Sequence, residues 1–300
     1  MSRIRRAAAV AVAGAIALTG AAACGKSKTD TGGGGGSSKS YTVVKNPKFA
    51  AGSTMERLNK AGRITIGVKF DQPGIGEMDA ASGKPKGFDI EVGKIIAGQL
   101  GIPADKIEWK EAISKNRQPF IENGTVDLVI ASYSITDDRK KVVGFAGPYY
   151  VTGQQLLIRK SDKSKIKSKD DLPGKKVCSV TGSTPLAYIQ QNYPTAQITG
   201  LATYTECVDQ LRANQVDVVT TDGAILLGYA AKFTDTTVVG QPFTTEKYGI
   251  GLKKDDTAFR GWLDDTLSKV EKDGSWKKAY DTSFSKTGIK APKPPAIERY

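Results

Sequence analysis

Apolar residues recur along this chain with two alternating periods. Residues 63–70 alternate apolar and polar positions as a strand does, whereas residues 88–100 place apolar side chains at helical spacing before Gly101. The continuous apolar segment 126–131 is typical of a strand buried on both faces. This rhythm predicts an α/β fold with doubly wound parallel sheets. Strands are predicted at 63–70, 107–109, 126–131, 142–145, 154–159, 176–180, 216–220 and 248–252, and helices at 88–100, 117–122, 136–141, 170–175, 185–192, 207–214, 225–231 and 259–273.

A short pattern repeats between the two halves of the chain. Gly124-x-Val126-Asp127-x-Val129 in the first half is echoed by Gln215-Val216-Asp217-x-Val219 in the second half. A length of 300 residues suffices for two cores of roughly 100–150 residues each. Two similar α/β units in tandem therefore favour a two-lobed chain.

The N-terminal segment predicts export. Three arginines precede an apolar stretch, residues 7–19, that is too short to span a bilayer of about 30 Å. Small residues then lead to Cys24, as in a lipoprotein signal, although Ala21 stands where such signals usually carry Leu. We expect a signal peptide at 1–23, a flexible Gly/Ser-rich linker at 24–40, and anchoring to the outer face of the cell membrane through lipidated Cys24. The alternative is an ordinary cleaved signal with a chance cysteine.

Composition narrows the chemistry. The chain has no histidine, which excludes Ser-His-Asp and Cys-His catalysis and histidine-ligated zinc. Its 44 Lys and Arg against 31 Asp and Glu give a net charge of +13, but the basic residues are interleaved with acidic ones. A nucleic-acid partner is therefore disfavoured. We expect no metal and no cofactor.

Two further cysteines, Cys178 and Cys207, lie 29 positions apart. In an exported protein such a pair favours a disulfide, because the extracellular compartment is oxidising. Two buried free thiols are the alternative.

A series of motifs follows one another between Gly87 and Asp222. In order, they resemble the polar amino-acid solute-binding proteins (family 3) of ABC importers, and most closely the glutamate-binding lipoproteins of Gram-positive bacteria. The likeness covers nearly all of residues 60–285. The motifs are Gly87-Phe88-Asp89-Ile90, Asn116-Arg117-x-Pro119, Asn123-Gly124-Thr125-Val126-Asp127, Ser134-Ile135-Thr136-x-x-Arg139-Lys140-Lys141-Val142, Pro148-Tyr149-Tyr150, Gly182-Ser183-Thr184, Val216-Asp217 and Thr221-Asp222.

The resemblance implies a periplasmic-binding-protein-like fold of two lobes joined by two hinge strands, near 150–154 and 244–249. Lobe 1 would then comprise 41–150 and 246–285, lobe 2 would comprise 154–243, and 286–300 would form a C-terminal tail. The family traps its ligand in the cleft by hinge closure and hands it to membrane permease subunits. We expect a monomer.

The candidate residues also fit the chemistry of an α-amino acid. Arg139 presents a planar fork that can hold a carboxylate bidentately, as the matching arginine does in the family. Ser134 and Thr184, the latter at a predicted helix start, would complete the clamp from both lobes. Asp222 follows a buried strand and would pair with the ammonium, with help from Ser132. From composition alone Arg139 could be a solvated charge, and Asp222 could be a helix N-cap.

The residues that face the side chain of the ligand determine which amino acid is bound. The resemblance places Arg117 at the arginine that glutamate and aspartate binders direct at the distal carboxylate, with Ser114 three residues before it. Lys69 lies at the end of the first predicted strand, and Asp71 and Gln72 are adjacent alternates. The positive charges of Lys69, Arg117 and Arg139 and the negative charge of Asp222 sum to +2. This sum favours a ligand with an anionic side chain. The alternative for Lys69 is an exposed lysine at a strand end.

We therefore expect a substrate-binding lipoprotein that captures L-glutamate or L-aspartate and makes or breaks no bond. Two alternatives stay open. One is a binding protein for glutamine or another polar amino acid. The other is an amino-acid-dehydratase-like enzyme, since the same fold carries such enzymes.

Overall fold

The computed structural model describes residues 41–285 and 290–300. The predicted signal peptide, the linker with Cys24, and positions 286–289 of the predicted tail lie outside the described residues. Within the described part, no helix combines the length and apolar character needed to cross a bilayer. The elements in chain order are α1 Thr54–Ala61, β1 Ile64–Val68, β2 Asp71–Gln72, β3 Gly76–Asp79, β4 Lys84–Lys86, α2 Phe88–Gln99, β5 Ile107–Glu111, α3 Arg117–Glu122, β6 Leu128–Val129, α4 Asp137–Lys140, β7 Gly144–Thr152, β8 Gln154–Arg159, β9 Lys176–Val180, α5 Thr184–Asn192, β10 Gln197–Leu201, α6 Tyr204–Arg212, β11 Val218–Asp222, α7 Gly223–Lys232, β12 Thr236–Val239, β13 Glu246–Leu252, α8 Thr257–Lys272 and α9 Ser275–Phe284.

The first large sheet has the strand order β5-β1-β6-β13-β7. β5, β1 and β6 are parallel, and β13 runs antiparallel to both of its neighbours. Phe88, the first residue of α2, is fully buried and sits in an aromatic cluster with Trp276 and Tyr280 of α9. Helical spacing on α9 thus buries one face of that helix in the core of this lobe, whereas α2 is buried on nearly all sides.

The second large sheet has the order β10-β9-β11-β8-β12. β10, β9 and β11 are parallel, whereas β8 is antiparallel to β11 and β12. A disulfide joins Cys178 of β9 to Cys207 of α6. Both cysteines are fully buried, so the bridge fastens a helix to the sheet beneath it.

The sheets are therefore mixed: the predicted parallel arrangement is confirmed for β5-β1-β6 and β10-β9-β11 and is wrong at β8 and β13. Only Gly153 separates β7 of the first sheet from β8 of the second. β8 therefore enters its sheet directly from the other one, without the crossover that precedes a parallel strand.

The chain passes from one sheet to the other twice, at 152–154 and again between Val239 and Glu246. The two crossings contact each other: the backbone N–H of Gln154 donates to the Thr244 hydroxyl over 2.9 Å. A Cβ on Gly153 would lie 2.3 Å from the Thr244 carbonyl oxygen, so the close approach of the two crossings requires glycine there.

Several short elements escape the sequence pattern, among them α1, the three-stranded sheet β2-β3-β4, and the strands β10 and β12. They are short or largely polar, so periodicity does not single them out. α9 is also missed, although Trp276, Tyr280 and Phe284 recur at a spacing of four. Residues 290–300 have no regular secondary structure, and the N–H of Glu298 donates to the carbonyl of Gly147 on β7 over 2.8 Å.

Candidate functional site

Buried polar side chains from both large sheets converge on one small cavity between them. Its volume of about 10 Å³ is room for about one water molecule. It lies at the carboxyl ends of parallel strands, where open α/β sheets place ligands. Its lining residues are Ser114, Arg117, Ser132, Ser134, Ser183, Thr184, Pro185, Tyr204, Asp222 and Ile225.

Arg139 is held by α4 and is 8% exposed. The helix is capped by Thr136, whose hydroxyl accepts from the Arg139 N–H, which fixes the start of the side chain. The guanidinium donates to the carbonyl of Ser134 over 2.7 Å and to that of Gly182, in the other lobe, over 3.0 Å. Burial lowers the pKa of Arg139. The alternative of a solvated surface charge is wrong.

Arg117 begins α3 and is 3% exposed. Its guanidinium donates to the carbonyls of Ser114, Ala131 and Ser132 within the first lobe, at 3.1–3.2 Å. A further bond of 3.2 Å reaches the carbonyl of Gly182 in the second lobe. Burial lowers the pKa of Arg117 to about 10, and the neighbouring charge of Arg139 adds to this effect.

The two arginines share a π face as well as the Gly182 acceptor. The guanidinium carbons of Arg117 and Arg139 lie 4.4 and 5.0 Å from the ring centre of Tyr133, which is almost fully buried. Gly182 has a φ of +84°, and a Cβ there would lie 2.9 Å from the backbone of Lys115. Glycine therefore allows the loop of the second lobe to approach both guanidinium groups.

Lys69 directly follows β1 and is 2% exposed, so the alternative of an exposed strand-end lysine is wrong. Its ammonium donates to the hydroxyl of Ser114 over 2.9 Å. Burial lowers the pKa of Lys69 to about 7, against an opposing effect of the nearby Asp71 charge. Lys69, Ser114 and Arg117 thus form one connected basic group at the first-lobe side of the cavity.

Asp222 ends β11 and is 3% exposed. Its Oδ2 accepts from the Tyr248 hydroxyl over 2.6 Å, while Oδ1 has no hydrogen-bond partner among the described residues. Burial, and then the charge of Glu246, raise the pKa of Asp222 to about 7. Asp222 occupies the N-cap position of α7, as the alternative supposed, but its side chain makes no capping bond.

Ser132 has a φ of +43°, a conformation that is uncommon for a residue with a side chain. Its N–H donates to the carboxylate of Asp89 over 2.7 Å, and the same carboxylate accepts from the Tyr149 hydroxyl. Asp89 is fully buried, which raises its pKa to about 7. Asp89 therefore holds the loop that turns the Ser132 carbonyl toward Arg117. The motif Gly87-Phe88-Asp89-Ile90 contributes to the family resemblance but does not by itself predict this role.

Thr184 links three parts of the site. Its hydroxyl lies 3.3 Å from the Ser134 hydroxyl and donates to Glu246 Oε2 over 2.8 Å. Helix α5 begins at Thr184, one residue earlier than predicted, with the Ser183 hydroxyl as its N-cap. Sequence reasoning missed Glu246, because nothing in the polar stretch before β13 distinguishes it from a solvated acid.

Gln72 does not line the cavity. It is fully buried on β2, and neither atom of its amide group has a hydrogen-bond partner among the described residues. Its neighbour Asp71 instead bridges the lobes, since its carboxylate accepts from the N–H of Tyr204 over 2.7 Å. Across the described residues, no group of three His, Cys, Asp or Glu is placed to hold a metal ion.

The formal charges of the buried residues at the site sum to zero. Lys69, Arg117 and Arg139 are basic, and Asp89, Asp222 and Glu246 are acidic. The sequence sum of +2 counted Asp222 alone among the acids. With Asp89 and Glu246 included, the sum is three positive minus three negative charges, or zero, so net charge does not distinguish an anionic from a neutral ligand side chain.

Comparison with known proteins gives a consistent result. Residues 64–286 match the model of the bacterial extracellular solute-binding proteins, family 3. The chain is 38% identical to the glutamate-binding protein GluB of Corynebacterium efficiens over 228 residues, or 72% of this chain and 77% of that protein. It is 37% identical to the ABC transporter glutamine-binding protein GlnH of Bacillus subtilis over 228 residues, or 76% and 83% of the two chains.

Solved structures resemble the whole two-lobed body. The solute receptor for L-cysteine of Neisseria gonorrhoeae matches with a TM-score of 0.75 and 27% identity, covering 82% of this chain and 99% of that one. An ancestral arginine-binding protein bound to glutamine matches with a TM-score of 0.70 and 32% identity, covering 74% and 98%.

Proposed function

Because the chain belongs to the bacterial extracellular solute-binding proteins of family 3, we propose that it captures glutamate, with aspartate as the other acidic candidate, and delivers it to the permease of an ABC transporter. The observation that carries the proposal is the buried guanidinium of Arg139, which donates to the carbonyl of the cavity-lining Ser134, together with the free Oδ1 of Asp222 at the same cavity. An α-amino acid supplies the two charges that these groups lack.

The carboxylate end is assigned to Arg139, Ser134 and Thr184. Among the described residues, the guanidinium of Arg139 donates to the neutral backbone carbonyls of Ser134 and Gly182. A carboxylate is a stronger acceptor for a guanidinium, roughly twice so, and it matches the planar fork. The Ser134 hydroxyl and the backbone N–H of Thr184 at the start of α5 would complete the coordination from both lobes, since the Thr184 hydroxyl itself donates to Glu246.

The ammonium end is assigned to Asp222, with Ser132 as a second acceptor. A ligand cation at Oδ1 would lower the raised pKa of this carboxyl and keep it ionised. Both residues line the cavity, one from each lobe, so the ligand would join the lobes through its own charges.

Ligand entry requires the lobes to separate. The cavity of about 10 Å³ is far smaller than an amino acid, and the Gly182 carbonyl occupies donors of both arginines. We propose that the crossings at 152–154 and 239–246 act as hinges and that ligand replaces Gly182 as the partner of Arg139.

The distal end is assigned to Lys69, Ser114 and Arg117, and Gln72 is left at a supporting position. Three donors in one connected group suit a side-chain carboxylate. Glutamine is the second candidate, and a specific observation favours it: the buried charges of the site sum to zero, so a neutral amide also fits. The glutamine-binding relative from Bacillus subtilis supports the same alternative.

Calorimetric titration of residues 40–300 with glutamate, aspartate, glutamine and arginine tests the proposal. We expect tight binding of glutamate with no change in the ligand, and weak or no binding of arginine. Arg139→Gln should abolish binding of every amino acid, since it removes the carboxylate partner, whereas Arg139→Lys keeps the charge but loses the fork. Binding of none of the four by the wild-type protein would refute the proposed function.

We further propose that Cys24 carries the lipid anchor and that residues 24–40 tether the body to the membrane. Expression of the full chain with Cys24→Ala in a Gram-positive host tests this. The variant should appear in the medium, while the wild type stays with the membrane fraction. Equal release of both proteins would contradict lipidation of Cys24.

A further inference from the structure

Glu246 is a buried carboxylate, and packing alone does not explain why an acidic side chain occupies this position. It begins β13, where the chain re-enters the first lobe, and is 6% exposed. Its two oxygens accept from the hydroxyls of Thr184, over 2.8 Å, and Thr244, over 3.2 Å. No ion pair found among residues 41–285 and 290–300 includes Glu246. A buried charge held only by neutral hydroxyls is costly.

A second buried carboxylate, that of Asp222, lines the same cavity as Thr184, whose hydroxyl donates to Glu246. The charge of Glu246 is the largest cause, after burial, of the raised pKa of Asp222. Asp222 also lacks an ion-pair partner in the described part of the chain, and its Oδ1 is free. Neighbouring carboxylates repel each other, and at Asp222 the charges of Arg117 and Arg139 act in the opposite direction. A ligand cation would relieve this repulsion.

Glu246 also acts on the carboxylate end of the site. Its charge favours the protonated, charged form of Arg139, which means that it attracts the same guanidinium that a ligand carboxylate would use. Glu246 thus competes with a ligand carboxylate for Arg139 and attracts a ligand ammonium. Glu246 therefore weakens binding of the ligand carboxylate and strengthens binding of the ligand ammonium.

We propose that Glu246 is a positioning residue that fixes Thr184, and with it the start of helix α5, beside the ligand carboxylate, and whose negative charge near Asp222 makes binding depend on the ligand's α-ammonium. This inference rests on the proposed function, since it concerns the same cleft. It predicts discrimination between an amino acid and the 2-oxo acid of the same skeleton.

The test is Glu246→Gln, which keeps an acceptor for Thr184 and removes the charge. Glutamate is compared with 2-oxoglutarate, and glutamine with 2-oxoglutaramate, by calorimetry and by competition. We expect the amino acids to bind about tenfold more weakly and the 2-oxo acids to bind equally well or better. The ratio of the affinity for the amino acid to the affinity for its 2-oxo acid would then fall by about tenfold or more. The surface variant Glu108→Gln is the matched control and should change neither value.

Thermal unfolding supplies a readout that does not depend on measurable binding of the 2-oxo acids. Removing one of two repelling carboxylates should leave the melting temperature of the ligand-free protein unchanged or raise it, while reducing the stabilisation by glutamate or glutamine. A residue that only supports the fold would lower the melting temperature instead.

The outcomes separate the two claims. If the wild type binds neither glutamate nor glutamine, the proposed function fails. If the wild type binds but Glu246→Gln weakens amino acid and 2-oxo acid by the same factor, or lowers the ligand-free melting temperature, this inference is overturned and the proposed function stands.

Discussion

The carboxylate of Asp71 in the first lobe accepts a hydrogen bond from the backbone N–H of Tyr204 in the second lobe, over 2.7 Å. Tyr204 is the first residue of α6, so the carboxylate also faces the positive end of a helix. The Asp71 carbonyl accepts in addition from the hydroxyls of Thr205 and Tyr229. Asp71 therefore fastens the lobes in the closed arrangement from outside the cavity.

Asp71→Ala should weaken ligand binding by roughly tenfold, because a hydrogen bond to a charged group contributes about 1.5–3 kcal/mol and the site is partly exposed. The loss should appear as faster dissociation for both ligands, and it should be larger for glutamate, because the Asp71 charge also favours the charged form of Lys69 at the distal end of the site. Dissociation rates measured by stopped-flow fluorescence check this.

Glu77→Ala is the control for that experiment. It breaks the 2.6 Å ion pair with Lys232, which also joins the lobes and in which the Lys232 side chain is about half exposed. Exposed ion pairs contribute about 0–1 kcal/mol, so this variant should change the rate little. Equal effects of Asp71→Ala and Glu77→Ala would argue against a special role for the bond to Tyr204.

The bridge between Cys178 and Cys207 should stabilise the second lobe. It closes a loop with a sequence separation of 29, for which chain entropy predicts roughly 3.6 kcal/mol. Replacing both cysteines by serine should lower the melting temperature by about 7–14 °C in a domain of this size. Scanning calorimetry checks this, and reduction of the wild type should give a similar shift. An unchanged melting temperature would show that the loop is ordered without the bridge.

Sequence reasoning could propose much of the candidate site because its residues follow strand ends and helix starts. Ser134, Thr184 and Asp222 come from distant parts of the chain, yet each stands in a motif with a recognisable local geometry, and all three line one cavity. Arg139 lies beside it, bonded to the carbonyl of Ser134. Lys69, Arg117 and Ser114 likewise lie together. Gln72, proposed from its neighbourhood alone, lies elsewhere.

The remaining features depend on tertiary contacts that a sequence does not display. Glu246 stands in a polar stretch and is buried only because β13 passes beneath Thr184. The supporting role of Asp89 likewise cannot be predicted from the sequence, because it depends on the positive φ of Ser132 and on the bond from the Ser132 N–H to the Asp89 carboxylate. The antiparallel β8 and β13 follow from the two crossings between sheets, which periodicity does not report.

Arg117→Gln should distinguish recognition of the ligand side chain from support of the site. If Arg117 faces a side-chain carboxylate, the variant loses at least about tenfold more affinity for glutamate than for glutamine. Arg117 also donates to the carbonyl of Ser132, so some loss for both ligands is expected. Arg117→Lys retains the charge and should recover part of the preference. Titration with both ligands measures the two factors, and equal losses would mean that Arg117 only supports Ser132.

The pH dependence of binding should separate acidic from neutral ligands. Lys69 has a pKa of about 7 because it is buried, with Arg117 opposing its charge and Asp71, Glu111 and Asp89 favouring it. A ligand carboxylate beside it would raise this pKa, so glutamate binding above pH of about 7 must take up a proton.

Affinity for glutamate should therefore fall as the pH rises from about 7 to 8.5, approaching tenfold per pH unit, while affinity for glutamine stays nearly constant. Calorimetry in buffers of different ionisation enthalpy measures the proton uptake directly. In Lys69→Met the uptake should vanish and glutamate should lose its pH dependence. A parallel decline for both ligands, or proton uptake that persists in Lys69→Met, would place the titrating group elsewhere and leave the distal carboxylate without its assigned partner.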